Sequence, residues 1–307
     1  MSMDKKYKGI IFIILSALCF AFMNTFVRLS GDLPSIQKSF FRNFVALIFA
    51  AIVLQKSGLG FTFRRENLKP LLLRSTFGTI GILCNFYAID RLVLADASML
   101  NKMSPFFAIL FSFLLLKEKV DFFQALAVMG AFIGSLFIIK PSFENVALIP
   151  AMAGFLGGMG AGIAYTFVRI LGQKGEKGPF IVFFFSGFSC LVTLPFLLLD
   201  FHPMTAIQLT YLLLAGLAAA GGQFAITAAY CHAPAKEISV YDYSQIIFAA
   251  ILGFVLFGQI PDTYSLIGYA VICTMAVLMF FYNTGRIRFG HKEDSERTEN
   301  VEMKKMS

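Results

Sequence analysis

Apolar runs of about 20 residues, the length an α-helix needs to cross the hydrocarbon core of a bilayer, recur ten times along this chain and leave little sequence between them. Their approximate spans are 8–30, 34–54, 69–89, 94–116, 121–139, 148–171, 179–199, 206–230, 236–258 and 262–282. Strands of a membrane barrel would alternate apolar and polar residues over about ten positions, whereas these runs are apolar on nearly every face. With 58% hydrophobic and 14% charged residues, the chain reads as an all-α integral membrane protein of ten transmembrane helices. The first run continues into Asn24 and Arg28 with no small-residue cleavage site behind it, so it reads as a retained anchor.

A net charge of +8 raises the possibility of a nucleic-acid partner, and the placement of the 26 lysines and arginines argues against one. With the N-terminus placed in the cytoplasm, the inner side collects the N-terminal lysines, the loops near residues 56–69, 117–119 and 174–177, Lys236 and the tail. Outside fall only Lys38, Arg91 and Lys140. The positive-inside rule then places both termini in the cytoplasm of a plasma-membrane protein, whose natural partner is an anionic inner leaflet. Cys19, Cys84, Cys190, Cys231 and Cys273 stand singly, and His202, His232 and His291 are scattered over loops and tail, so neither a disulfide frame nor a metal cluster is expected.

The phrase TFVRL at residues 25–29 returns as TFVRI at residues 166–170, an offset of 166 − 25 = 141. The same offset, without gaps, carries Leu15 to Leu156, Gly81 to Gly222, Ser98 to Ser239, Phe107 and Ala108 to Phe248 and Ala249, and Asp121 to Asp262. The chain therefore reads as two five-helix repeats, residues 8–140 and 148–283, followed by a disordered cytoplasmic tail, 286–307. Five helices are an odd number, so the second copy enters from the opposite side and the repeats are inverted, as in many secondary transporters. Arg28 and Arg169 then sit near opposite interfaces, as snorkelling or gating residues.

Ionisable side chains at membrane depth mark a pathway or a pair. Lys102 lies about nine residues into the fourth run and Asp242 about seven into the ninth, and the offset relates Asn101 to Asp242 and Lys102 to Tyr243. Ser239, Asp242, Gln245 and Ala249 share one helical face; Ser98, Asn101, Pro105, Ala108 and Ser112 form a similar stripe. Pro105 lacks the amide that would bond the Asn101 carbonyl, leaving an acceptor beside Lys102. Asn24 in the first run, Asn85 with Gly78 and Gly81 in the third, Tyr165 in the sixth and Gln223 in the eighth add polar positions. Gly154, Gly158 and Gly162, spaced by four, permit close helix approach. Arg42 has no charged counterpart, since 42 + 141 gives Phe183, so it either binds substrate or pairs with a carbonyl or acid. Lys102 and Asp242 read in two ways: a structural ion pair, or a zwitterion site in which Lys102 meets a carboxylate or phosphate and Asp242 meets an amine or carries a coupled proton.

Three stretches resemble the EamA family of the drug/metabolite transporter superfamily: SFFRNFVALIF in the second run, SPFFAILFSFLLLKEKV closing the fourth, and QALAVMGAFIGSLFI in the fifth. The resemblance covers residues 8–283 and implies a ten-helix inverted-repeat carrier. It also implies a central cavity lined by runs 1, 3, 4, 6, 8 and 9, and export of amino acids or similar metabolites. Gln259 stands where the first copy has Glu118, and the chain has no Trp, which disfavours a tryptophan cage for quaternary amines; Tyr165, Tyr230, Tyr241 and Tyr243 are the available aromatic substitutes. The expected function is secondary transport of a small polar organic solute by alternating access, by a monomer or homodimer without cofactor. The alternative, suggested by 37 phenylalanines, is a carrier or flippase for a lipid-like amphiphile. No GxxxxGK[ST] loop occurs, and no His lies within a run to support a membrane enzyme.

Overall fold

The computed structural model describes residues 3–58, 60–62, 64–116, 121–140, 147–232 and 239–283, and the tail 286–307 lies outside them. The described chain folds into α1 (Met3–Leu29), α2 (Ser35–Lys56), α3 (Leu68–Arg91), α4 (Leu94–Asn101), α5 (Ser104–Leu116), α6 (Phe122–Ile139), α7 (Leu148–Gln173), α8 (Gly178–Leu199) and α9 (Ala206–His232). A 3-10 segment (Ser239–Tyr243) then leads into α10 (Ser244–Phe257), followed by α11 (Thr263–Asn283). Among the described residues nine stretches are long and apolar enough to cross a membrane, α4 and α5 counting as one, and a shorter apolar helix spans Tyr241–Phe257.

The helices pair according to the internal repeat. The most extensive contacts are α1 with α9 and α3 with α7, and the 141 offset turns α1 into α7 and α3 into α9, so these are one contact made twice. The next largest, α2 with α8 and α6 with α11, each join an element to its own counterpart across the pseudo-twofold. Each half thus packs mainly through the other. The duplicated threonines repeat one local bond: Thr25 donates to the Ala21 carbonyl at 2.9 Å and Thr166 to the Gly162 carbonyl at 3.0 Å. The duplicated Asp121 and Asp262 both start helices. Gln124 accepts from the Asp121 amide at 3.2 Å in a capping box, and Asp262 accepts from the Ser265 amide at 2.8 Å.

Apolar packing in a membrane gains little from excluding water, so close contact has to come from small residues. Helix α7 supplies them on two faces. Gly157 and Gly160 lie against α3, where a Cβ on Gly160 would sit 2.9 Å from the Phe77 carbonyl oxygen. Gly158 and Gly162 lie against α4 and α5, where a Cβ on Gly158 would collide with the Leu100 carbonyl and one on Gly162 would meet the Ser104 carbonyl at 2.8 Å. Because backbone cannot swing aside as a side chain can, Gly158→Ala should destabilise by about 1–3 kcal/mol. Gly172, with nothing within 4 Å, should tolerate alanine without loss. Thermal unfolding in detergent checks both, and equal melting of the two variants would contradict this account.

The structure corrects the reading of the fourth and ninth runs as continuous helices. After Asn101 the α-helix stops, Met103 bonds back to the Leu100 carbonyl in a tight turn, and Ser104 starts α5. Pro105 explains the break in the first copy, since its ring cannot supply the next helical amide bond. The second copy has Ile246 at the matching position yet winds as 3-10 helix over Ser239–Tyr243. There the irregularity rests on tertiary contacts: the Tyr243 hydroxyl donates to the Lys102 carbonyl at 3.1 Å, across the pseudo-twofold from its own counterpart. The single-face alignment of Ser239, Asp242, Gln245 and Ala249 therefore does not hold as a helical stripe.

Candidate functional site

Between the two copies lies a cavity of about 90 Å³. Ten of its nineteen lining residues are related in pairs by the repeat, each 141 positions apart: Phe20 with Ala161, Met23 with Ala164, Asn24 with Tyr165, Ile82 with Gln223, and Ser104 with Gln245. A cavity walled by symmetry mates sits on the pseudo-twofold axis, where rocking of one half against the other would expose it alternately to each side. Its volume is below the roughly 300–1,000 Å³ of small-molecule sites, so admitting an organic solute requires the halves to separate.

The polar wall is assembled from broken and intact helices. Lys102, at the α4–α5 break, pairs with Asp242 of the 3-10 segment at 2.5 Å, and both residues are largely buried. The second carboxylate oxygen of Asp242 has no hydrogen-bond partner among the described residues. Asn101 lines the cavity beside Lys102. Asn24 donates to the Ser98 hydroxyl at 3.4 Å, and the side-chain oxygens of Asn24 and Asn85 are buried without a partner among the described residues. Gln223, Gln245 and Tyr165 complete this wall, Tyr165 showing 41% of its surface. Tyr243 turns its hydroxyl to the Lys102 carbonyl instead, and of the tyrosines named as aromatic substitutes whose side chains are described, Tyr165 alone is a lining residue. The side chains of Ser239, Tyr230 and Ser112 lie outside the described set.

The arginines diverge. Arg28 donates to the Ile89 and Leu92 carbonyls and stands 5.0 Å from the Phe257 ring centroid. It thereby satisfies carbonyls orphaned at the C-terminal end of α3. Its repeat mate Arg169 is exposed near the end of α7. Arg42 lines the cavity, 3% exposed, and donates to the Asn43 side-chain oxygen at 2.6 Å. Neither a carboxylate nor a backbone carbonyl partners it among the described residues. Gln259, the departure from Glu118 of the first copy, accepts from the Leu94 amide at 3.0 Å and so caps α4.

Sequence reasoning missed Arg74. It lies on the same α3 face as Gly78, Gly81 and Asn85, at spacings of four, seven and eleven, and that periodicity was sufficient to find it. It lines the cavity, 5% exposed, with its guanidinium 3.6 Å from the Phe185 ring centroid. The wall therefore also draws on α2 and α8, beyond the six runs expected from the resemblance.

The model of the EamA-like transporter family matches twice, over residues 7–140 and 148–281. The chain belongs to that family. This EamA-like protein is 30% identical over 281 residues to the pseudopaline exporter CntI of Pseudomonas aeruginosa, covering 91% of this chain and 98% of that protein. It is 26% identical to a riboflavin transporter of Vibrio cholerae, over 92% and 95% of the two chains. A solved crystal structure shares its fold with a TM-score of 0.62 at 12% identity, covering 89% of this chain and 97% of that one. The EamA-like chain is thus a multi-pass membrane transporter of small metabolites, not an enzyme.

Proposed function

We propose that this transporter exports a small polar organic metabolite, amino-acid-like or a related solute, from the cytoplasm by gradient-driven alternating access around the central cavity. The observation that carries the reading is the cavity on the pseudo-twofold, walled by Asn24, Asn85, Asn101, Lys102, Gln223 and Gln245. So much hydrogen-bonding capacity at membrane depth favours a polar solute over a lipid-like amphiphile. Lys102 and Asp242 lie where the backbone leaves regular helix, the position at which secondary transporters hold substrate or ions. Asp242 is the residue we assign to a coupled proton, because one of its carboxylate oxygens pairs with the lining residue Lys102 while the other is buried without a partner among the described residues. The relative named as an exporter supports the outward direction. The excess of basic residues on one side supports a plasma-membrane location with both termini cytoplasmic. Lys38, counted on the other side, turns inward to Asp90 and leaves that side still less basic.

Purified protein in liposomes loaded with labelled amino acids should release them faster than protein-free liposomes do. Asn85→Ala and Gln245→Leu remove polar atoms without leaving a charge unpaired, and each should slow release about tenfold or more. Protein-dependent movement of lysolipids with no movement of small polar solutes would overturn the reading in favour of the amphiphile carrier.

A further inference from the structure

Ten of the nineteen lining residues form the five symmetry-related pairs, and Arg42 and Arg74 are among the nine without a lining counterpart. The offset carries them to Phe183 and Ala215, neither of which lines it. Both guanidinium groups come from the first copy alone. They act electrostatically on each other and both act on Tyr165, so they belong to one cluster. Nε of Arg42, and Nε and Nη1 of Arg74, are buried without a hydrogen-bond partner among the described residues, and neither arginine has an acidic partner there.

The cluster is built, with each cation held by neutral groups. Asn43 accepts from Arg42 and donates to Ser189 of α8 at 2.9 Å, which fixes the Arg42 head. The Arg74 guanidinium carbon stands over the Phe185 ring, 3.6 Å from its centroid. Gly78, one turn further on, leaves the space this needs, since a Cβ there would sit 2.9 Å from Phe185 Cε2 and 3.1 Å from Arg74 Nη1. Among the described residues the charged lining residues are Arg42, Arg74 and Lys102, no carboxylate lines the cavity, and Asp242, just outside the lining, pairs with Lys102. The balance is 3 − 1 = +2. Buried charge without compensation is costly and is kept where a partner arrives from outside, and the guanidinium fork matches carboxylate and phosphate oxygens.

We propose that Arg42 and Arg74 form an anion site in the central cavity and that the transported solute carries two negative charges, as carboxylates or as a phosphate monoester. With Asp242 ionised, a dianion neutralises the cavity, so the loaded carrier reorients without dragging net charge through the bilayer. This rests on the transporter reading above and narrows its substrate class.

The test is thermal unfolding and calorimetric titration of the full chain in nanodiscs with succinate, glycerol 3-phosphate, alanine and lysophosphatidylcholine. Succinate or glycerol 3-phosphate should stabilise the wild type more than alanine does, and which of the two binds distinguishes carboxylate from phosphate recognition. Arg42→Gln and Arg74→Gln should each weaken that binding about tenfold or more. Their ligand-free melting should stay level or rise, because an uncompensated charge has been removed. Arg74→Lys, which keeps the charge and loses the fork, should bind between the two. Dianion binding unchanged in both glutamine variants would overturn the proposal, as would lower ligand-free melting of both without a binding change. Stabilisation by alanine with both dianions silent would overturn it and leave the polar-solute reading standing. Stabilisation by lysophosphatidylcholine alone would overturn both.

Discussion

Asp242→Asn will destabilise the folded protein by about 3–5 kcal/mol, while the double change Lys102→Met with Asp242→Leu will cost far less. Lys102 Nζ and Asp242 Oδ2 are 2.5 Å apart at the contact of the two repeats, with side chains 8% and 12% exposed. Removing one charge strands the other in a medium that cannot solvate it; removing both deletes the problem. The comparison is a double-mutant cycle, and it isolates the pair from the neighbouring Tyr243 bond, which is made to the Lys102 backbone. Chemical or thermal unfolding of Lys102→Met, Asp242→Leu and the double variant in one detergent reads it, with Asp242→Asn alongside. Additive losses would show that the two charges do not depend on each other, and the pair would then have no structural role.

Asp90→Ala will be the second severe lesion, also about 3–5 kcal/mol, and worse than Lys38→Met at the other end of the same bond. Lys38 is fully buried on α2 and reaches Asp90, at the end of α3, at 2.6 Å. The asymmetry follows from the surroundings. Asp90 is 17% exposed and also lies in the fields of Arg91 and Arg28, so it keeps cationic company when Lys38 is gone. Lys38 without Asp90 is fully buried, with no hydrogen-bonded acid left and only the fields of Asp32 and Arg91, which oppose each other. Folded yield and melting temperature of the two variants decide the order, and equal losses would mean that water reaches Lys38.

The residues that carried most of the sequence reading were those whose physics is local. Helix positions followed from apolar length, and the boundaries of α2, α3, α6 and α8 agree with the runs to within two residues. The 141 offset was visible because the two copies solve the same local problems with the same residues: a back-bonding threonine, a capping aspartate. Arg74 was legible in principle, from its spacing to Gly78, Gly81 and Asn85, but one arginine near the start of a run is easily taken for an interfacial charge. The break at Lys102 was legible through Pro105. The 3-10 turn at Asp242 was not, because Ile246 gives no local sign of it.

By itself the sequence determined the ten crossings, the duplication and the inversion that an odd helix count forces, because each follows from chain length against bilayer thickness. It also marked Lys102 and Asp242 as charges at membrane depth, though not Arg74 or Lys38. Only the tertiary structure decided their company: Lys102 with Asp242, Lys38 with Asp90, Arg28 on carbonyls of α3, and Arg42 and Arg74 in the cavity without an acid. The physical reason is that helical period fixes the face a side chain occupies, whereas the energy of a buried charge depends on what the facing helix brings to it.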